Sequence, residues 1–74
     1  MINVFKNKYE IIIRKCFLHI KHYNKIIDIN SNVIKLEVDN SILVISGSSL
    51  IVCAMNEYEL VIKGCIKSIE FINE

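Results

Sequence analysis

The sequence has no proline, no tryptophan and only two glycines, and its cysteine count, three, is odd. An odd cysteine count without a recognisable secretory leader is typical of a reducing compartment, so Cys16, Cys53 and Cys65 are expected to be free thiols. The longest apolar run, residues 42–55, is interrupted by Ser46–Ser49 and falls short of the ~20 residues that a membrane-spanning helix needs. These absences exclude a disulfide scaffold and a helical membrane span, and they favour a cytoplasmic protein.

Apolar residues are abundant for so short a chain. The 74 residues are 53% hydrophobic, with a mean hydropathy of +0.41. A length of this order predicts one domain, here residues 1–74 with 1–8 as a flexible lead-in, and burial of only about 60% of the unfolded surface. Part of the apolar surface is therefore expected to face a partner.

Charge is unevenly distributed although the net charge is only +1. Residues 1–25 carry six basic residues and one acid, whereas residues 26–74 carry three basic residues and seven acids. The two surfaces could neutralise each other in the fold, or the basic half could meet an acidic partner or an anionic membrane surface. The basic residues considered for such an interaction are Arg14, Lys15, Lys21 and Lys25.

Secondary-structure signals favour strands throughout. Ile, Val, Tyr and Phe dominate, and no stretch of eleven residues sustains helical apolar spacing. Short connections indicate antiparallel neighbours, because parallel strands need long crossovers. Eight strands are predicted, at Glu10–Arg14, Cys16–Lys21, Lys25–Asn30, Val33–Val38, Ser41–Ser46, Leu50–Met55, Glu59–Lys63 and Cys65–Ile72.

Turns are predicted at two kinds of position. Asp39 and Asn40 form a two-residue hairpin turn, since both residue types tolerate the left-handed conformation. The phrase Leu-Val-Ile-x-Gly occurs twice, ending at Gly47 and at Gly64, which predicts two equivalent strand–turn–strand units. The fold class is therefore all-β, a small antiparallel β-sandwich of about eight short strands. A β-solenoid-like stack is the alternative, suggested by the repeated glycines.

Candidate chemistry is sparse. Cys16, His19 and His22 have three-residue spacing, but residues three apart on a strand point to opposite faces, so no metal site is predicted. Glu57 and Glu59 lack any motif that would fix their geometry for acid–base catalysis. We predict no catalytic residues, no cofactor and no enzymatic activity.

Nucleic acid is the alternative partner from another functional class. Small β-barrels bind single strands through aromatic side chains on a basic face, and the basic N-terminal half contains several aromatic residues. However, Phe17 alternates with apolar neighbours as a core residue does. Nucleic-acid binding is therefore considered unlikely.

Two glycine-marked segments and a tyrosine-containing turn form a recognisable pattern. The first motif, I-x-G-x-x-L, falls on Ile45, Gly47 and Leu50. The second, I-x-G-x-I-x-x-I-x-F/Y, falls on Ile62, Gly64, Ile66, Ile69 and Phe71, and the tyrosine-containing turn lies within residues 20–29. This pattern resembles the YabP/YqfC family of sporulation proteins, and the YqfC branch more closely, over roughly residues 8–72.

This resemblance implies a small all-β, non-enzymatic structural or interaction protein of endospore formation. It implies action in the mother cell, peripherally near the forespore membrane and alongside an integral membrane sporulation protein. The apolar strands also predict a homo-oligomer, because unprotected edges and apolar faces favour pairing. The residues expected at that contact are Ile51, Cys53, Met55 and Phe71.

Overall fold

The chain is an all-β protein in a computed structural model that describes residues 9–14 and 16–73, with the backbone alone at Asn73. The predicted lead-in over residues 1–8 lies outside the described residues. Branched aliphatic residues occur in every strand, as expected for side chains that pack on a pleated surface. The six strands are β1 (Glu10–Arg14), β2 (Phe17–Lys21), β3 (Lys25–Ile29), β4 (Val33–Val38), β5 (Ser41–Met55) and β6 (Glu59–Asn73).

All six strands belong to one antiparallel sheet with the order β1-β2-β6-β5-β4-β3. The prediction that consecutive strands pair is confirmed for β1–β2, β3–β4, β4–β5 and β5–β6. It is wrong for β2 and β3, which lie in different parts of the sheet although only His22, Tyr23 and Asn24 connect them. The connection is held by hydrogen bonds to distant loops: the Tyr23 hydroxyl donates to the Asn56 carbonyl at 2.8 Å, and Asn24 Nδ2 donates to the Asp39 carbonyl at 3.0 Å.

The structure has six strands where eight were predicted, because the two predicted turns around Gly47 and Gly64 are not chain reversals. β5 and β6 each continue through their glycine for 15 residues. Their pairing shifts register near Ser46/Gly47 and again between Ser48 and Ile51. Such β-bulges bend a strand and increase its twist without ending it. The glycines therefore mark bends in two long strands.

Each glycine is required by the backbone of the other strand. A Cβ at Gly47 would lie 2.1 Å from the Cys65 carbonyl oxygen, and a Cβ at Gly64 would lie 2.5 Å from the Ser49 carbonyl oxygen. Gly64 also has a φ of 135°, which L side chains rarely adopt. The two copies of the Leu-Val-Ile-x-Gly sequence therefore form two bends that pack against each other. The backbone of each bend leaves no room for a side chain at the glycine of the other.

The core requires the sheet to fold over on itself at these bends. Ten apolar residues from β2, β4, β5 and β6 form one buried cluster, and nine of them are fully inaccessible to solvent. A flat single sheet exposes both faces, so full burial needs a second covering layer. The sheet supplies that layer itself. The buried residues are Leu18, Ile20, Ile34, Leu36, Val38, Leu43, Ile45, Leu50, Leu60 and Ile62.

The bends divide the sheet into two half-sheets with equivalent pairing. The first half-sheet comprises β1, β2, residues 59–63 of β6 and residues 51–55 of β5. The second comprises β3, β4, residues 41–48 of β5 and residues 65–73 of β6. Gly47 N–H donates to the Asn32 carbonyl just before β4, and Gly64 N–H donates to the Cys16 carbonyl just before β2. The repeat therefore produces two matching halves of one antiparallel sheet, and not successive turns of a solenoid.

Three tight loops fix the register of the hairpins. Asp39 and Asn40 form the two-residue loop of the predicted hairpin, with Asp39 at a φ of 56°. The other two loops are built alike: the side-chain oxygens of Asn30 and Asn56 each accept backbone N–H bonds from the residues two and three positions later, at 2.8–2.9 Å. Asparagine side chains commonly replace backbone acceptors in such turns.

Candidate interaction surface

The outer face of the first half-sheet carries a row of alternating cationic and apolar side chains. Arg14, Phe17, Lys63 and Ile51 are directly opposite one another across β1, β2, β6 and β5. Directly opposite residues of antiparallel strands project on the same face. Leu18 of β2 points into the core, so its neighbour Phe17 points outward. We call these four residues the Arg14–Ile51 row.

Both apolar members of this row are open to solvent. Phe17 is 44% exposed and Ile51 is 55% exposed, while Arg14 and Lys63 are also exposed. Exposing apolar surface to water is unfavourable by about 25 cal/mol per Å² of apolar area, so covering these two side chains would stabilise a complex. Two such side chains that alternate with two cations form a surface suited to a partner that is apolar and negatively charged.

The far side of the same face is electrostatically balanced. Lys21 is opposite both Glu10 of β1 and Glu59 of β6. Glu59 Oε1 lies 2.9 Å from His19 Nε2. Among the described lysine and arginine residues of this half-sheet, those without an acid directly opposite are therefore the two in the Arg14–Ile51 row.

The predicted basic residues do not form one patch. Arg14 belongs to the row, and Lys21 lies between two acids on the same face. Lys25 lies in the second half-sheet, where its Nζ is 3.8 Å from Glu37 Oε1. Lys15 lies outside the described residues. Proximity in sequence failed here because β2 and β3 belong to different half-sheets.

The predicted apolar contact residues are also dispersed. Ile51 and Met55 are exposed on residues 51–55 of β5, whereas Phe71 is half-exposed in the second half-sheet and packs against the Tyr9 ring at 6.0 Å between centroids. Sequence reasoning missed Phe17, which was expected in the core, and Lys63. The alternation of β2 contained the necessary signal, since Leu18 and Ile20 point inward and leave Phe17 outside.

The residues considered for metal binding diverge. His19 contacts Glu59, and the His22 ring lies 6.1 Å from the Tyr58 ring. Over residues 9–14 and 16–73, no three His, Cys, Asp or Glu side chains are grouped as metal ligands are. Cys16, Cys53 and Cys65 are exposed free thiols.

An open depression lies on the second half-sheet. The Lys25–Glu37 ion pair lies in it, and Asn40 and the aliphatic side chains of Ile27 and Ile42 complete its wall together with Ser41. Its charged groups already neutralise each other, so we assign it no ligand.

Two strand segments pair on one side only among the described residues. Residues 51–55 of β5 pair with β6, and residues 65–73 of β6 pair with β5. β4 ends its pairing with β5 at Ser46, and β2 ends its pairing with β6 at Lys63. The bends thus leave the second half of each long strand with one open edge, in addition to the edges formed by β1 and β3.

Comparison with known proteins adds no relatives: family models, curated proteins and solved structures all give no match to this chain. Within the described part of the chain, no helix has the length and apolar character needed to cross a membrane.

Proposed function

We propose that this chain is a non-enzymatic interaction protein that presents its folded sheet to an apolar, negatively charged partner. The Arg14–Ile51 row supports this proposal, because its two exposed apolar side chains alternate with two exposed cations. Exposed apolar groups that lie together on one face are typical of binding surfaces. The opposite face of the same half-sheet packs in the core, so the outer face is the one that is accessible to a partner.

The resemblance to the YabP/YqfC family places this proposal in endospore formation. Under it, the protein acts in the cytoplasm of the mother cell, peripherally at the forespore membrane. The partner is an integral membrane sporulation protein or the anionic membrane surface beside it, and the chain also self-associates. The resemblance itself rests on the sequence motifs, whose glycines, Gly47 and Gly64, occupy equivalent bends of this fold.

Replacing Phe17 with serine should abolish capture of the membrane partner. The change removes the aromatic anchor of the row, and such anchors commonly contribute 2 kcal/mol or more, so affinity should fall by roughly 30-fold or more. Capture from solubilised membranes of sporulating cells and flotation with anionic vesicles are the two measurements, which distinguish protein from lipid.

Ile27→Ser is the matched control, because Ile27 is 46% exposed but lies in the second half-sheet. Loss of capture with Ile27→Ser, or unchanged capture with Phe17→Ser, would contradict the assignment of the row.

A small nucleic-acid-binding β protein is the second candidate, favoured by the position of Phe17 between Arg14 and Lys63. An exposed aromatic ring between cations can stack a base beside its phosphates. If the interaction proposal is right, titration with single-stranded oligonucleotides at moderate salt should give negligible binding. Micromolar binding that weakens with salt and is lost in Phe17→Ser would support the second candidate instead.

A further inference from the structure

Residues 51–55 of β5, which pair with β6 on one side only, differ in composition from the other edges of the sheet. β5 is the one strand among the six described that has no charged residue, since the chain carries no charge between Asp39 and Glu57. Ile51 and Met55 are more than half exposed on it, and Cys53 and Ala54 are also exposed. We call this segment the Ile51–Met55 edge.

The other edges carry the features by which monomeric proteins discourage strand pairing. Charged side chains protect an edge strand, and an uncharged apolar edge is left open to another strand. β3 has Lys25 and Asp28. The edge strand β1 has Glu10 and Arg14. Residues 65–73 of β6 include Lys67 and Glu70.

We propose that the Ile51–Met55 edge pairs antiparallel with the same edge of a second copy of this chain. The inference rests on the self-association included in the proposed function and identifies its site. A strand without charge meets no like charges when it pairs with its own copy, whichever of its residues are opposite. Pairing about a two-fold axis uses the same segment in both copies, which closes both edges and stops growth at a dimer.

The dimer forms a continuous eight-stranded arrangement from the two first half-sheets. Its outer face brings the exposed Ile51 side chains of the two copies to the join, with each Phe17 two strands farther out. Met55 is opposite Leu60 in its own chain, so it lies on the core side and shields the join from beneath. Pairing therefore covers apolar side chains as well as backbone groups.

The position of Cys53 allows the proposed pairing to be tested by cross-linking. It is the middle residue of the Ile51–Met55 edge and the bulged residue that has no partner on β6. An antiparallel overlap of the segment with its copy that keeps the outer side chains on the outer face brings the two Cys53 residues within one residue of each other. Opposite Cα atoms in antiparallel strands lie about 4.5–5.5 Å apart, and a disulfide bridges Cα atoms up to about 6.8 Å apart.

Mild oxidation of the intact chain should therefore give a covalent dimer through Cys53. We expect the cross-link with wild type and with the double variant Cys16→Ser/Cys65→Ser, and its loss with Cys53→Ser. Cross-linking that persists in Cys53→Ser would overturn the proposed edge pairing.

The mass in solution tests the same contact without oxidation. Light scattering of the reduced protein at micromolar concentration should give twice the 8.6 kDa chain mass. Ile51→Glu should raise the dimer dissociation constant at least 100-fold, because it buries a charge at the join. The control is Ile72→Glu, which places the same charge at a side chain of similar exposure (49% against 55%). Ile72 lies on residues 65–73 of β6, away from the proposed join, so this variant should remain dimeric.

A monomeric wild type at 200 µM, or dissociation by Ile72→Glu but not by Ile51→Glu, would disprove the inference. A monomeric wild type would also contradict the self-association in the proposed function. Neither result bears on the partner-binding proposal, which is judged by capture with Phe17→Ser. Conversely, a Phe17→Ser dimer that still captures the partner contradicts the proposed function and not the edge pairing.

Discussion

Replacing Gly64 with alanine should leave the protein largely unfolded. The new Cβ would lie 2.5 Å from the Ser49 carbonyl oxygen, a backbone atom that cannot move away as a flexible side chain can, and the φ of 135° strains any L residue. We expect a loss of about 4 kcal/mol or more, which is comparable to the whole stability of a domain of this size. Chemical denaturation followed by circular dichroism measures it.

The control is Ser68→Ala, an exposed change on the same strand that should alter stability by less than about 0.5 kcal/mol. Gly47→Ala should resemble Gly64→Ala, since its Cβ would lie 2.1 Å from the Cys65 carbonyl oxygen. A Gly64→Ala protein with the unfolding midpoint of wild type would show that the two bends are not in this contact.

Ile62→Ala should give the second large loss, about 2–5 kcal/mol, because it leaves a cavity at a fully buried position. Ile62 joins the buried side chains of β2 to those of β5 through its pairing with Leu18 and Val52. In a domain of this size the melting temperature should fall by at least about 10 °C. Calorimetry gives both values.

Ile72→Ala is the matched control, the same substitution on the same strand at a side chain that is 49% exposed. Its effect should stay below about 0.5 kcal/mol. Equal losses for the two variants would contradict the inside and outside assignment of β6.

The sequence predicted the strand content and most of the local pairing because these depend on nearby residues. Alternation in Val33–Val38 and the Asp39–Asn40 turn placed the β4–β5 hairpin correctly. The number of strands was wrong because Ser46–Ser49 has turn composition, whereas the pairing of β5 with β6 continues past it across two register shifts. Only the close approach to Cys65 shows that Gly47 serves a bend, and that contact is not local in sequence.

The interaction surface was predictable only in part for a similar reason. The exposure of Ile51 and Met55 follows from strands that are apolar on both faces, and both are exposed. The grouping of Arg14 with Lys63 depends on the pairing of β2 with β6, which are about 40 residues apart along the chain. No periodicity within either strand contains that information.

The division of both long strands between the half-sheets has a consequence for how the molecule opens. Each half-sheet takes one segment from β5 and one from β6, so neither half is a continuous piece of chain. A cut in the loop between β5 and β6 would separate a strand segment from both halves, because each of these two strands contributes to both. Local unfolding units usually coincide with contiguous motifs. Here no contiguous motif contains a complete half-sheet, so we expect the domain to unfold as one unit. The two halves share strands within one chain as the subunits of a domain-swapped dimer share them between two chains.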